Sequence, residues 1–199
     1  MGGADKGLQL FHGVPLALHT LQRLRPQVGP IIINANRNAA VYEGFGAGDG
    51  VQVCPDADSE FSGPLAGFLA GLCHCHTPYL VTVPCDSPLF PSNWVARLGN
   101  ALLQARADIA MVAAPEADRD GLLTLRAQPV FCLMRAALGE SLRSFMATGG
   151  RKIDAWTAQH VTVLVPFDAP GDDAHAFFNA NTLEELHWAQ GQSGVLPLA

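Results

Sequence analysis

Positive charge is scarce in this sequence: 12 Lys and Arg stand against 18 Asp and Glu, a net charge of −6. Broad, sequence-independent binding to nucleic acid depends on Lys and Arg neutralising phosphates, so that function class is excluded. A nucleotide remains open as a substrate, because one triphosphate is held by a divalent cation, backbone N–H groups and one or two basic side chains. Long apolar runs are missing too. No stretch approaches the ~20 uninterrupted apolar residues of a membrane span, and no membrane partner is expected. The opening residues carry no basic region followed by an apolar run, so a cytoplasmic protein is expected.

Other familiar chemistries leave no trace. No Ser-His-Asp set, catalytic cysteine or pair of acid/base carboxylates stands out, and the seven histidines are scattered. The five cysteines, Cys54, Cys73, Cys75, Cys85 and Cys132, are odd in number and sit in apolar segments, the pattern of buried reduced thiols. Cys73-His74-Cys75-His76 lies in an expected helix, where neighbouring residues point to different faces, and no second Cys/His pair stands at a zinc-site spacing. Residues 44–50, GFGAGDG, lack the G-x-G-x-x-G spacing of a dinucleotide loop and precede a strand, as a surface loop does.

What is present is 49% hydrophobic and 15% charged over 199 residues, enough for one domain with a sizeable core. Short β-branched runs alternate with longer helical patterns. Residues 30–34 (PIIIN) read as a strand buried on both faces, and 51–54, 79–86, 108–114, 129–135 and 161–166 read as further strands. Helices are expected over 14–25 with a stripe at Leu18, Leu21 and Leu24, over 63–75 behind Gly63-Pro64, over 91–105, and over 135–147 before Gly149-Gly150. A last helix opens at Thr182-Leu183-Glu184-Glu185, the spacing of a capping box. Alternation with short connections implies an α/β fold with a mostly parallel sheet.

In such sheets ligands bind outside the carboxyl ends of the strands. That rule selects Asn34-Ala35-Asn36-Arg37, Pro55-Asp56, Asp86, and Asn179-Ala180-Asn181 after the short Phe177-Phe178. Each cluster alone reads more readily as a helix cap or an Asx-turn; four together point to a site. Asp86, one step past an apolar strand and before Ser87-Pro88, suits Mg²⁺, which takes one or two carboxylates plus phosphate oxygens and water. Lys6, inside Gly-Gly-Ala-Asp-Lys-Gly, either meets the same phosphates or is a solvated lysine near a terminus.

Taken in order, DKG (5–7), NANR (34–37), Asp56, GPLAG (63–67), PCDSP (84–88) and NANTLEEL (179–186) cover nearly the whole chain. The set resembles the LAGG-type nucleotidyltransferases, and within them the molybdenum cofactor guanylyltransferase branch. The resemblance implies a Rossmann-like three-layer α/β/α domain spanning 1–199. The activity it implies is transfer of GMP from GTP to the terminal phosphate of molybdenum-loaded molybdopterin, with release of pyrophosphate. Carried over by position, Lys6 binds the nucleotide phosphates, Asn34 and Asp56 help hold base and ribose, and Asp86 binds Mg²⁺. Asn179 and Asn181 line the pterin-phosphate side, and molybdoenzymes or their chaperones are partners to consider. Arg151, in Gly149-Gly150-Arg151-Lys152, adds positive charge toward the anionic substrate. The acceptor is already a phosphate monoester, so catalysis rests on positioning and charge neutralisation, with little need of a general base.

One departure stands at the start. The family signature places an apolar strand, a Leu-Ala-Gly-Gly turn and an arginine ahead of the position of Met1. The expectation is a natural protein that starts roughly 15–25 residues earlier, with the first central strand missing from this chain and this chain poorly folded or inactive as written. Two alternatives stay open: the cytidylyl branch acting on the same cofactor, and a non-catalytic nucleotide- or cofactor-binding module.

Overall fold

The computed structural model describes residues 5–46, 50–56, 63–118 and 121–192; residues 1–4 of the opening loop and 47–49 of the glycine-rich segment lie outside the described residues. In chain order the elements are β1 (Leu10–Phe11), β2 (Val14–Pro15), α1 (Leu16–Leu24), β3 (Ile31–Asn34), α2 (Ala39–Phe45), β4 (Val51–Cys54), α3 (Pro64–His74) and β5 (Tyr79–Thr82). Then come α4 (Trp94–Ala105), β6 (Ile109–Ala117), β7 (Leu123–Arg135), α5 (Gly139–Ala147), α6 (Ile153–Thr157), β8 (Thr162–Pro166) and α7 (Leu183–Gln192).

The larger sheet has the order β5-β7-β6-β8, and side-chain alternation along β6 assigns its two faces. Ala110, Val112 and Ala114 enter a core with Trp94, Leu98 and Leu102 of α4 and with Phe90, Phe131, Phe167 and Phe177. Ile109 and Met111 point the other way, into a core with Leu65, Phe68, Leu69 and Leu72 of α3, Leu142 and Met146 of α5, and Trp156 of α6. One sheet with a helical layer on each face is the three-layer α/β architecture expected from the sequence.

Strand direction is the finding the composition did not carry. β3 pairs with β4 and β6 with β8 in parallel, but β7 runs antiparallel to both β5 and β6. Its ladder with β6 slips between Met111 and Val112, whose partners are Cys132 and Gln128. Pro129 falls in that slip. A proline has no N–H to give a ladder, so an irregularity is where a long strand can accommodate one. Thr82 Oγ1 donates to the freed Val130 carbonyl at 2.7 Å.

β3 was expected to be buried on both faces, and it is half-buried, with Asn34 exposed. Among the described residues it pairs with β4 alone, as β5 pairs with β7 alone. α3 packs against both strands: a Cβ on Gly67 would meet Asn34 of β3, and one on Gly71 would meet Leu80 of β5. Entry into α3 is fixed by Gly63 at φ +92°, a left-handed conformation open to glycine, followed by Pro64 at the first helical position.

Smaller differences have local causes. The buried residues of α1 are Leu16, Ala17, Thr20, Leu21 and Leu24, while Leu18 is half-buried. α4 starts at Trp94, three residues after Pro91. α2, seven residues with Gly44 inside it, was not foreseen. Among the cysteines only Cys54 and Cys132 are buried, and all five are free. His74 Nδ1 pairs with the Ala70 carbonyl at 2.9 Å and Cys73 lies 3.4 Å from Arg143 Nη2. Among the described residues no helix is long and apolar enough to cross a membrane.

Candidate active site

Three side chains far apart in sequence meet at the carboxyl end of β5. Lys6 Nζ lies 3.2 Å from Asp86 Oδ2 and donates to Asn181 Oδ1 at 2.8 Å. Asp86 follows β5 by four residues, and its side chain is 13% exposed against 42% for Lys6. The sheltered carboxylate faces its cation, while the ammonium retains solvent access for an incoming anion.

The segment 179–181 is fastened from both sides. The Ala180 N–H donates to the Asp86 carbonyl at 2.8 Å, and the fully buried Ser87 hydroxyl donates to Asn179 Oδ1. On the other side the expected capping box forms. The Glu185 N–H donates to Thr182 Oγ1 at 3.1 Å, and Glu185 Oε2 accepts from the N–H groups of Thr182 and Asn181 at 2.9 and 2.8 Å. The helix cap thereby orients Asn181 toward Lys6.

Lys6 itself is aimed by a residue that sequence reasoning left without a role. Asp5 accepts hydrogen bonds from the Gly7 N–H at 3.2 Å, the Tyr42 hydroxyl at 2.7 Å and Asn38 Nδ2 at 2.9 Å, with Arg37 Nε at 3.6 Å. Burial pushes the Asp5 carboxyl up, but the bonds from Tyr42 and Asn38, then the Arg37 charge and the Gly7 N–H, hold it below the usual carboxylate range. Burial, followed by the bond to Asp5, pushes the Tyr42 hydroxyl well above its ordinary value. In the sequence Asp5 showed only as the first residue of the DKG match, immediately before Lys6.

A second group gathers at the ends of β3 and β4. Asn36 and Asp56 bond reciprocally: Asn36 Nδ2 donates to Asp56 Oδ2 at 2.7 Å, and the Asp56 N–H donates to Asn36 Oδ1 at 2.8 Å. Asn34 Nδ2 donates to the Cys54 carbonyl at 3.3 Å. A Cβ on Gly67 would stand 2.9 Å from Asn34 Oδ1, so glycine there lets the amide lie against α3. Arg151 sits elsewhere, on the segment after α5, where Nη1 donates to the Met146 and Gly150 carbonyls at 2.9 and 2.8 Å. That guanidinium closes the end of α5.

No group of three or more His, Cys, Asp or Glu among the described residues can cage a metal. Mg²⁺ is nonetheless compatible with the site. It is commonly held by one or two carboxylates and completes its shell with waters and substrate phosphates, and Asp86 is a carboxylate in that position. A cation, a lone sheltered carboxylate and an amide at one strand end form an arrangement that holds and neutralises phosphate groups.

Comparison with known proteins identifies the family. Residues 1–163 match the model of the MobA-like NTP transferase domain family. The molybdenum cofactor guanylyltransferase of Acidovorax sp. (strain JS42) is 63% identical over 192 residues, covering 96% of this chain and 89% of the relative. The protein of that description from Bordetella pertussis is 56% identical over 190 residues, covering 96% and 90%. Among solved structures, molybdopterin-guanine dinucleotide biosynthesis protein A from Archaeoglobus fulgidus superimposes with a TM-score of 0.71 at 20% identity, covering 95% of this chain and 90% of that one.

Proposed function

The chain belongs to the MobA-like NTP transferase domain family, and on that premise we propose that it transfers GMP from GTP to the terminal phosphate of molybdenum-loaded molybdopterin. An oxygen of the acceptor phosphate attacks the α-phosphorus of GTP. A new P–O–P bond forms, the α–β bridge breaks, and pyrophosphate leaves with its electron pair. Phosphate needs no activation by a strong base, so positioning and charge neutralisation carry the barrier reduction.

The observation that carries the reading is the meeting of Lys6, Asp86 and Asn181 at 3.2 and 2.8 Å. Lys6 neutralises the α- and β-phosphate oxygens as negative charge shifts to the leaving group. Asp86 is the residue that would hold Mg²⁺, which when bound supplies further positive charge at the phosphates. Asn34 and Asp56, on the β3–β4 side, take the ribose and base, with Asn36 fixing the Asp56 carboxylate. Asn179 and Asn181 take the acceptor phosphate, so Asn181 touches both halves of the reaction through Lys6. Asp5 is a positioning residue for that lysine. The scarcity of basic residues suits an enzyme for one small anionic acceptor, and we place it in the cytoplasm.

The test is pyrophosphate release from the purified protein with Mg²⁺, molybdenum-loaded molybdopterin and either GTP or CTP. Turnover with GTP is expected. Turnover with CTP alone would move the assignment to a cytidylyltransferase. Nucleotide binding by a folded sample, with no turnover on either nucleotide, would replace the enzyme by a binding module.

A further inference from the structure

A cleft of about 650 Å³ begins at Asn179 and Asn181 and runs between the β6–β7 ladder and α7. This volume is typical of small-molecule sites. One wall is aromatic. Trp188 packs against His175 and Phe178, each with ring centroids 4.9 Å apart, and all three line the cleft. Trp188 is 38% exposed, whereas Trp94 and Trp156 are 0% exposed. A partly bared indole supported from two sides is a platform for a flat ring, since stacking needs a rigid face and no hydrogen-bond match.

The far end of the cleft is polar and fixed. Gln128, 7% exposed, donates from Nε2 to Glu116 Oε1 at 2.9 Å, and Arg126 Nε stands 3.8 Å from Glu116 Oε2. A buried amide thus holds a carboxylate still at the cleft wall, and a carboxylate offers about four acceptor positions and no donor. Its natural complement is a planar ring carrying two adjacent N–H donors. Glu185, which also lines the cleft, is already occupied by the backbone N–H groups of Asn181 and Thr182.

Resting on the function proposed above, the geometry points to this cleft as the seat of the acceptor's pterin ring, with Glu116 as its specificity-determining residue. The bicycle lies on Trp188 and Phe178. Its N3–H and exocyclic 2-amino group donate to the two oxygens of Glu116, which Gln128 keeps in register. The side chain of the pterin then runs along the cleft toward Asn181 and Lys6, where its phosphate is needed. Guanine presents the same pair of donors, so the experiment separates the two ring sources.

Neopterin 3′-phosphate is the probe, titrated into the protein while Trp188 emission and the anisotropy of the pterin's own fluorescence are read. Saturable quenching is expected. In Trp188→Phe the quenching disappears while the anisotropy change remains. Glu116→Gln, which replaces one acceptor oxygen by a donor, raises the dissociation constant about tenfold, the loss expected for a two-pronged charge-assisted contact. Glu140→Gln, on α5, leaves it unchanged. GTP alone leaves Trp188 emission as it was. Pterin affinity within twofold of the parent in a folded Glu116→Gln protein overturns the inference, as does GTP reproducing the quenching. Acceptor KM in the pyrophosphate assay separates the two levels. Turnover with KM unaltered by Glu116→Gln removes the pterin seat and leaves guanylyl transfer standing. Saturable, Glu116-dependent pterin binding without turnover on any nucleotide does the reverse.

Discussion

Asn181 is exposed, yet its amide is the contact that ties the last segment of the chain to Lys6. Removing that amide in Asn181→Ala tests whether the site works as a unit. A hydrogen bond to a charged group contributes about 1.5–3 kcal/mol. Because the Lys6 side chain is 42% exposed, water replaces part of the bond, and ~1 kcal/mol is the figure to expect, a roughly fivefold fall in kcat. Lys6→Met keeps most of the aliphatic stem and deletes the cation; the loss of a group that stabilises transition-state charge is about 10²–10³-fold. If Asn181 acts by aiming Lys6, adding Asn181→Ala to Lys6→Met costs almost nothing further in kcat. The double-mutant cycle then gives a coupling of ~1 kcal/mol. The assay is initial-rate pyrophosphate release with both substrates saturating, so that an effect on acceptor binding does not enter. Melting temperatures control for folding, and all three variants should melt within about 2–4 °C of the parent, the shift expected from losing one such bond. Additivity within about 0.3–0.5 kcal/mol would refute the reasoning, because it would mean that Asn181 and Lys6 act independently.

Four further outcomes follow from the geometry. Asp86→Asn should lower turnover at least about 100-fold and weaken the response to added Mg²⁺, measured as rate against metal concentration. Gly67→Ala should move two readouts in opposite directions. The Cβ pushes the Asn34 amide from 2.9 Å and raises KM for GTP several-fold, while alanine's helix propensity adds up to ~1 kcal/mol to stability, so the melting temperature holds or rises. Thr182→Ala removes the cap of α7 and should cost about 1 kcal/mol in chemical denaturation, with a loss of kcat because segment 179–181 loosens. His19 is held neutral by burial and then by the Arg23 charge, with its pKa lowered from 6.5 to about 4. The unfolded chain therefore takes up a proton between about pH 6.5 and 4 that the folded protein refuses, and stability falls as pH drops through that window. Allowing for partial exposure, the loss is of the order of 1–2 kcal/mol, and His19→Leu should abolish that share in urea titrations at pH 7.5 and 4.5.

The α/β alternation was legible because strands buried between helical layers are written as short apolar runs such as residues 109–114, and helices as spaced leucines. The capping box at Thr182 and the helix start at Gly63-Pro64 were legible for a different reason: both are local chemistry. The direction of β7 was not, since a strand's polarity relative to its neighbours leaves no mark in its composition. The half-burial of β3 escaped too, because Ile31, Ile32 and Ile33 say that a strand is apolar and nothing about how many neighbours it has. Within the candidate site, Asp86, Asn179 and Asn181 were identified at strand ends and Lys6 in its glycine-rich setting; the fold brings Lys6, Asp86 and Asn181 together, with Asn179 held by Ser87 beside them. Asn34 and Asp56 stand apart from them at the β3–β4 end. Arg151 was selected by charge alone, which cannot foresee that the guanidinium turns back onto the carbonyls of α5. Tyr42 and Asn38 around Asp5 left no signal, as their role depends on a bend that places α2 over the residue before Lys6.

The contact between Lys6 and Asn181 spans 175 residues, and that separation sets a clock. At the usual pace of synthesis, about 5–20 residues per second, the second partner leaves the ribosome roughly 10 to 35 s after the first. For most of that interval Asp86 is already made and is the one of its two acceptors that the lysine can meet, and the loop closed by the second contact is nearly the longest the chain allows. Full phosphate chemistry therefore waits for the final helix to dock, and a molecule clipped before Asn181 would lack at least the roughly fivefold that this contact contributes, however well its sheet had formed. Full competence arrives last.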